Sequence, residues 1–180
     1  MVLAFTVISC GESESEVPEQ KMTTENQPRA TSIHPPGSTS ATSSGIAFQA
    51  YDINGKLRRS DEWIGKQPVV INVWGTWCPP CRKEIPDMVK VYEEFSSKGI
   101  EFLGIAVRDT PAKVKRFTES NNMNWVMLMG DPSTLSTMGN ITGVPTTIFL
   151  DRNGKEVQRF VGPRDYQTFA TEVKMLINSM

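Results

Sequence analysis

Two cysteines, Cys78 and Cys81, are three positions apart in the sequence WCPPC, with only prolines between them. Residues three apart on a helix are about 5–6 Å from each other, which is the separation that a disulfide needs. The pair follows an apolar run at 69–74 and precedes a stretch with helical spacing. Cys78 is therefore expected at a helix start, where free N–H groups and the helix dipole favour a thiolate. The pattern predicts dithiol–disulfide exchange, in which Cys78 attacks and Cys81 resolves the mixed disulfide.

Other uses of a cysteine pair fit the composition less well. The chain has three cysteines and one histidine, His34, which lies far from the pair in a polar stretch. A structural zinc site needs four ligands, and copper carriers also use histidine, so we expect no metal and no cofactor beyond the disulfide itself. A staple that closes so short a loop would constrain little of the unfolded chain.

A thiol peroxidase is the most serious rival among enzymes. Peroxidases of the peroxiredoxin type carry Pro and Thr seven and three residues before the reactive cysteine. Ile71 and Gly75 occupy those positions here. Dithiol exchange is therefore the favoured chemistry, and the peroxidase is kept as an alternative.

The overall charge argues against a nucleic-acid partner. The net charge is −1, and residues 46–180 carry 15 acidic and 17 basic side chains. Nucleic-acid affinity depends on a concentrated basic surface, which this even distribution does not provide.

The N-terminal segment predicts export and lipid attachment. Residues 1–9 form an apolar run that is too short to span a bilayer but fits the apolar part of a secretion signal. Val7-Ile8-Ser9-Cys10 resembles the lipobox of bacterial lipoproteins, in which the cysteine carries the lipid. No Lys or Arg precedes the run, so either the true start lies upstream or the segment is not a signal.

Residues 10–45 are predicted to form a disordered tether. Ser, Thr, Glu, Pro and Gly dominate this stretch, and its apolar residues are isolated. A flexible chain of this length has an end-to-end distance of roughly 30 Å, enough to hold a domain away from a membrane surface.

Residues 46–180 are predicted to be one α/β domain. Asn54-Gly55 indicates a β-hairpin, and a helical turn follows from Ser60 to Ile64. Apolar runs that alternate with helical spacing indicate a mixed sheet with helices on both faces. The expected strands are 69–74, 100–107, 125–129, 146–151 and 155–161, and the expected helices are 79–97, 110–122, 131–138 and 164–180.

The motif VVINVWGTWCPPCRKEIP together with GVPTTIFLDRNGK at 143–155 resembles the TlpA/ResA-like branch of the thioredoxin superfamily. The resemblance covers about residues 46–180. It implies a thioredoxin-like fold, with a central mixed β-sheet flanked by helices, an N-terminal β-hairpin and an inserted segment around 111–138.

The resemblance also implies roles for four further residues. Pro145 matches the cis-proline beside the dithiol, which leaves the Val144 backbone free to bind an extended substrate. Trp77 matches the aromatic residue that flanks the first cysteine. Glu84 matches a buried acid; at helical spacing it has no base to pair with, so its pKa should be raised and it could shuttle protons to the cysteines.

A tethered reductant outside the cytoplasm is the function that the resemblance implies. Its partners would be disulfide-bearing exported proteins, among them apocytochrome c, and a membrane thiol transporter as electron donor. We expect a periplasmic or extracytoplasmic location, anchorage to a bacterial membrane through lipid on Cys10, and a monomeric domain. The alternative outside catalysis is a thioredoxin-fold binding or redox-sensing module without turnover.

Overall fold

A computed structural model of the chain describes Val2 and residues 45–179. The predicted signal at 1–9, the lipidation residue Cys10 and all but the last residue of the predicted tether lie outside the described residues, apart from Val2. Within the described part of the chain, no helix is long and apolar enough to cross a membrane.

The described chain contains seven strands and four α-helices. The strands are β1 (Gln49–Tyr51), β2 (Leu57–Arg59), β3 (Val69–Trp74), β4 (Glu101–Val107), β5 (Val126–Gly130), β6 (Thr146–Leu150) and β7 (Glu156–Val161). The helices are α1 (Pro79–Phe95), α2 (Pro111–Ser120), α3 (Pro132–Ser136) and α4 (Tyr166–Asn178). These bounds agree with the sequence-based expectations to within two residues at most ends.

Five strands form a mixed sheet in the order β5-β4-β3-β6-β7. The pairs β3–β4 and β4–β5 are parallel, whereas β3–β6 and β6–β7 are antiparallel. Strand β3 is central and buried along its whole length, because both faces of the sheet are covered. This explains why its sequence is an almost continuous β-branched run.

One face of the sheet packs against α1, α2 and α4. Even-numbered residues of β3, such as Val70 and Trp74, point to this face and join a core cluster with Met88, Val114 and Phe169 from the three helices. Both parallel crossovers pass over the same face, which is the outcome of two right-handed connections that advance in one direction along the sheet.

The opposite face is covered mainly by the N-terminal hairpin and not by long helices. Phe48, Trp63 and Leu103 belong to the core cluster on this side, and the short helix α3 adds Leu135 at its margin. The expectation of helices on both faces is thus met only through α3. Ala50 of β1, Phe48 just before it and Trp63, which directly follows the 3-10 turn at Ser60–Glu62, take the place of a second helical layer.

The N-terminal hairpin has a longer loop than the predicted two-residue turn. Tyr51 pairs with Leu57, so residues 52–56 form the connection. The carboxylate of Asp52 accepts the N–H groups of Asn54 and Lys56, and Gly55 adopts a left-handed φ of 81°. An aspartate that bonds to the backbone of its own loop stabilises this wider turn.

We predict that two glycine substitutions in matched turns differ in cost. Gly55 and Gly154 both have a left-handed backbone, with φ of 81° and 79°, but a Cβ on Gly55 meets nothing, whereas one on Gly154 lies 2.6 Å from Cγ2 of Ile64. Gly55→Ala should lower the free energy of unfolding by about 1 kcal/mol. Gly154→Ala should cost about twice as much, because it adds a steric contact. Urea unfolding measures the loss of stability in both variants. Equal losses would contradict a steric contact between the added Cβ of residue 154 and Ile64.

Candidate functional site

The redox pair lies where the central strand β3 passes into helix α1. Cys78 is the N-cap residue of α1, and Pro79 and Pro80 occupy its first two positions, where a missing N–H costs least. Cys81 lies one turn further, and the two cysteines form a disulfide with their Cα atoms 5.3 Å apart. The predicted pairing and its position at the helix start are therefore both present in the structure.

The helix start supplies the electrostatic environment of Cys78. The N–H of Cys81 points at Sγ of Cys78 over 3.2 Å; it is the one N–H among the first three helical positions, because Pro79 and Pro80 have none, and the helix dipole lies behind it. Both favour a negative charge on the sulfur once the disulfide is reduced. Both cysteines are buried in the disulfide: 2% of Cys78 is exposed and none of Cys81.

Val144 and Pro145 lie directly beside the disulfide. The bond between them is cis, as the resemblance implied. The carbonyl oxygen of Val144 is 3.7 Å from Sγ of Cys78. Within residues 45–179 the Val144 N–H forms no hydrogen bond. The chain then continues into β6, and the carbonyl of Pro145 accepts the N–H of Gly162. A backbone segment with unused hydrogen-bonding capacity thus borders the reactive sulfur.

Trp77 covers the loop that precedes Cys78 and remains 43% exposed. Its indole N–H donates to the carbonyl of Val107 over 3.0 Å, which fixes the ring against the end of β4. A Cβ on Gly75 would lie 2.5 Å from the indole nitrogen, so this ring position requires glycine there. A partly exposed indole ring thus directly precedes Cys78.

Glu84 is a buried carboxyl group, 2% exposed, on the side of α1 that faces the sheet. Oε1 accepts the side-chain N–H of Asn72 over 3.0 Å, and Oε2 accepts the backbone N–H of Arg164 over 3.1 Å. Burial raises the pKa of Glu84 to about 7, although the two hydrogen bonds and the Arg164 charge oppose this rise. The group therefore changes its protonation near neutral pH.

A pocket of about 330 Å³ connects the Glu84 region with the surface. It lies between the first turns of α1 and the segment that leads into α4. Its lining residues are Lys83, Glu84, Asp87, Pro163, Arg164, Asp165 and Thr168. The pocket thus brings the buried carboxyl group close to the surface along this side of the helix.

The sequence analysis missed the partners of Glu84. Asn72 is the single polar residue in the buried strand VVINVW, and its amide also donates to Oγ1 of Thr147 over 3.0 Å. A polar residue within a buried run needs partners, so Asn72 was a detectable signal. The Arg164 contact comes from the backbone, and no sequence pattern could reveal it.

The described residues contain no group of three or more His, Cys, Asp or Glu side chains that could hold a metal ion. The expectation of a site without metal or cofactor stays a prediction.

We predict that the raised pKa of Glu84 makes stability fall as pH rises. Below pH 4.5 the carboxyl group is protonated in both states; between 4.5 and 7 the unfolded chain releases the proton and the folded protein retains it. Relative to Glu84→Gln, the wild-type free energy of unfolding should fall by about 3 kcal/mol from pH 4 to pH 8. Urea unfolding of both proteins at each pH measures this difference in the free energy of unfolding.

The matched control for this experiment is Glu93→Gln, an exposed glutamate on the same helix. Its stability should follow that of the wild type throughout the pH range. If the difference in free energy of unfolding between the wild type and Glu84→Gln does not change with pH, Glu84 ionises as an ordinary carboxyl group.

Comparisons with known proteins agree with this geometry. A sequence profile of the AhpC/TSA family matches residues 43–159. The thiol-disulfide oxidoreductase ResA of Bacillus cereus is 30% identical over 115 residues, which are 64% of this chain and 66% of the relative. ResA of Bacillus subtilis is 32% identical over 115 residues, 64% of each protein. The chain thus spans about two thirds of the length of these curated relatives.

Solved structures show the same fold. A thiol:disulfide interchange protein of the thioredoxin family from Chlorobium tepidum TLS is 35% identical, with a TM-score of 0.67 over 74% of this chain and 94% of that protein. These similarities confirm the predicted thioredoxin-like fold and the predicted ResA-like thiol–disulfide oxidoreductase. By its match over residues 43–159, the chain belongs to the AhpC/TSA family.

Proposed function

We propose that this thiol–disulfide oxidoreductase is a reductant that acts on disulfides of exported proteins outside the cytoplasm. The observation that carries the proposal is the position of Cys78 Sγ. It lies between the helix N-terminus, with the Cys81 N–H at 3.2 Å, and the Val144 carbonyl at 3.7 Å. One side stabilises a thiolate and the other offers backbone groups to a substrate chain.

The reaction begins with both cysteines reduced. The Cys78 thiolate attacks one sulfur of the substrate disulfide, forms a mixed disulfide, and releases the other substrate sulfur as a thiolate, which takes up a proton. Cys81 then loses its proton and attacks Cys78 Sγ, which releases the second substrate thiol. Two electrons pass to the substrate, and the Cys78–Cys81 disulfide seen here is the oxidised product.

Glu84 is the group that we assign to proton transfer. It follows Cys81 by nearly one helical turn, its pKa is about 7, and it lines a pocket open to the surface. A base of that strength is half ionised at neutral pH, so it can accept the Cys81 proton and return it to solvent. Asn72 and the Arg164 N–H hold the carboxyl group in position for this role.

Val144 is the backbone that we assign to substrate binding. Its carbonyl and its unused N–H can pair with an extended chain in the manner of an added strand. Trp77 supplies an exposed ring on the neighbouring side of Cys78. Both lie where the residues next to a substrate cysteine must pass.

The direction of electron flow and the location are inferred from the resemblance. The strongly oxidising branch of the superfamily that the sequence resembles carries a large helical insertion between the motif and the cis-proline. Here the insertion holds only the ten-residue helix α2 and the five-residue helix α3 around β5. We accordingly propose apocytochrome c among the substrates, a membrane thiol transporter as electron donor, and periplasmic anchorage through lipid on Cys10.

Exchange activity should depend on both cysteines in different ways. Wild-type protein should accelerate insulin reduction by dithiothreitol, and Cys78→Ser should abolish the acceleration because the attacking sulfur is lost. Cys81→Ser should trap substrates as mixed disulfides, visible on non-reducing gels of a periplasmic extract. Wild-type protein without activity would favour the binding-module alternative, and turnover of hydrogen peroxide would favour the peroxidase.

The reduction potential of the pair tests the direction of flow. Equilibration with glutathione or dithiothreitol buffers should give a value below about −220 mV, as for reductants of this fold. A value near −120 mV is typical of a strong oxidant and would reverse the proposal.

Glu84→Gln should slow the resolving step. Near pH 7 the release of a thiol from the Cys78 mixed disulfide should be at least about tenfold slower, because Cys81 lacks its base. The rates of thiol release from the wild type and from Glu84→Gln should become equal at high pH, where Cys81 deprotonates without a base. Stopped-flow measurement of thiol release from pH 5 to 10 reports this. Glu93→Gln should keep the wild-type profile, and a pH-independent effect of Glu84→Gln would point to a packing role alone.

A further inference from the structure

The loop after β4 carries an arginine in an unusual setting beside the redox pair. Arg108 has a left-handed φ of 51°, which non-glycine residues seldom adopt. Its guanidinium lies over the Trp77 ring, with Cζ 4.1 Å from the ring centre. Trp77 immediately precedes Cys78, so the Arg108 guanidinium lies within reach of a substrate that binds to the Cys78 sulfur.

The platform under this arginine is rigid. The Trp77 ring is fixed by its bond to the Val107 carbonyl and by contact with Gly75. Oδ2 of Asp109 accepts the Thr76 N–H over 2.8 Å, which ties the loop after β4 to the loop before Cys78. Stacking on a fixed ring reduces the conformational freedom that an arginine loses when it binds a ligand.

The guanidinium has no protein partner for its donors. Within the described part of the chain, Arg108 forms no ion pair and no side-chain hydrogen bond, whereas Arg58, Arg59 and Arg159 each pair with a carboxylate. The neighbouring Asp109 already accepts the N–H groups of Thr76 and Thr110 with its two oxygens. The N–H edge of Arg108 is thus free to bind an external carboxylate.

A second arginine without an ion-pair partner in the described chain follows the dithiol directly in the sequence. Arg82, which directly follows Cys81, is exposed and has no ion-pair partner among residues 45–179.

We propose that Arg108 is a specificity-determining residue that selects substrates with an acidic side chain next to the target cysteine. An extended chain advances about 3.3 Å per residue, so a carboxylate one or two positions from a substrate cysteine held at Cys78 comes within reach of the stacked guanidinium. The inference rests on the proposed exchange reaction. It adds a class of preferred substrate: cysteines flanked by Asp or Glu.

The test uses the reduced full-length chain and two peptides that differ only in Glu or Gln beside a single cysteine. That cysteine carries a 2-nitro-5-thiobenzoate disulfide, so that attack by Cys78 releases a coloured thiolate. The wild type should react about fivefold faster with the Glu peptide at low ionic strength, as one ion pair allows. The preference should shrink to less than about twofold at 0.5 M salt, because screening weakens exposed charge pairs.

Arg108→Asn should reduce the Glu-to-Gln rate ratio to about one; asparagine tolerates the left-handed backbone, so the loop keeps its shape. Arg108→Lys should retain part of the preference, because it keeps the charge but loses the planar donor edge. The matched control is Arg152→Asn, an exposed arginine that follows β6 at the opposite end of the sheet, and it should keep the wild-type ratio.

A ratio near one in the wild type, or an unchanged ratio in Arg108→Asn, would overturn the role of Arg108. Equal loss with both peptides in Arg108→Asn would also overturn it, because the residue would then only support the loop. Failure of the wild type to react with either peptide is a different result: it would overturn the exchange reaction and this inference with it.

Discussion

The structure depends on the complete burial of β3 at the centre of the sheet. Every residue of this strand is buried, and its odd and even side chains enter two separate cores. A strand packed on both faces cannot shift without disturbing both cores, since interiors are close-packed. The end of β3 is therefore a fixed point, and the loop Gly75–Trp77 and the start of α1 are built from it. The position of Cys78 is a consequence of that packing.

The same burial creates a costly feature of the core. Asn72 interrupts the apolar strand on the side that faces α1, and there it meets Glu84 and Thr147. Two neutral donors compensate the carboxyl group only in part, so desolvation dominates and the pKa rises. Apolar residues in these places would pack at lower cost. A partly satisfied acid three residues after the dithiol costs stability, which fits the role in proton transfer that we propose for Glu84.

Two loops from neighbouring strands form the side of the site that is proposed to bind substrate. The loop after β3 contributes Trp77, the loop after β4 contributes Arg108, and the Val107 carbonyl and Asp109 side chain join them. Because β3 and β4 are parallel, both loops emerge at the same edge of the sheet. The segment before β6 then brings Val144 to the sulfur from the other neighbour of β3. The arrangement of the site thus follows from the strand order.

Local sequence determined much of this protein. The i, i+3 cysteines, the prolines in the first turn, the β-branched run and the helical spacing depend on neighbours along the chain, and the corresponding elements are present. Glu84 was singled out by its match to a buried acid of the family that the sequence resembles, and the lack of a base at helical spacing supported this; its partners could not be named.

Tertiary structure decided the rest, because it depends on contacts between residues distant in sequence. Only packing shows that the hairpin covers one face in place of long helices, and that Cys78 is buried in the oxidised form. Likewise, Arg164 reaches Glu84 across 80 residues, and Arg108 reaches Trp77 across the gap between two strands. Burial raises the pKa of Glu84, and a contact between residues far apart in the sequence places Arg108 over Trp77. The spacing of the cysteine motif predicts neither feature.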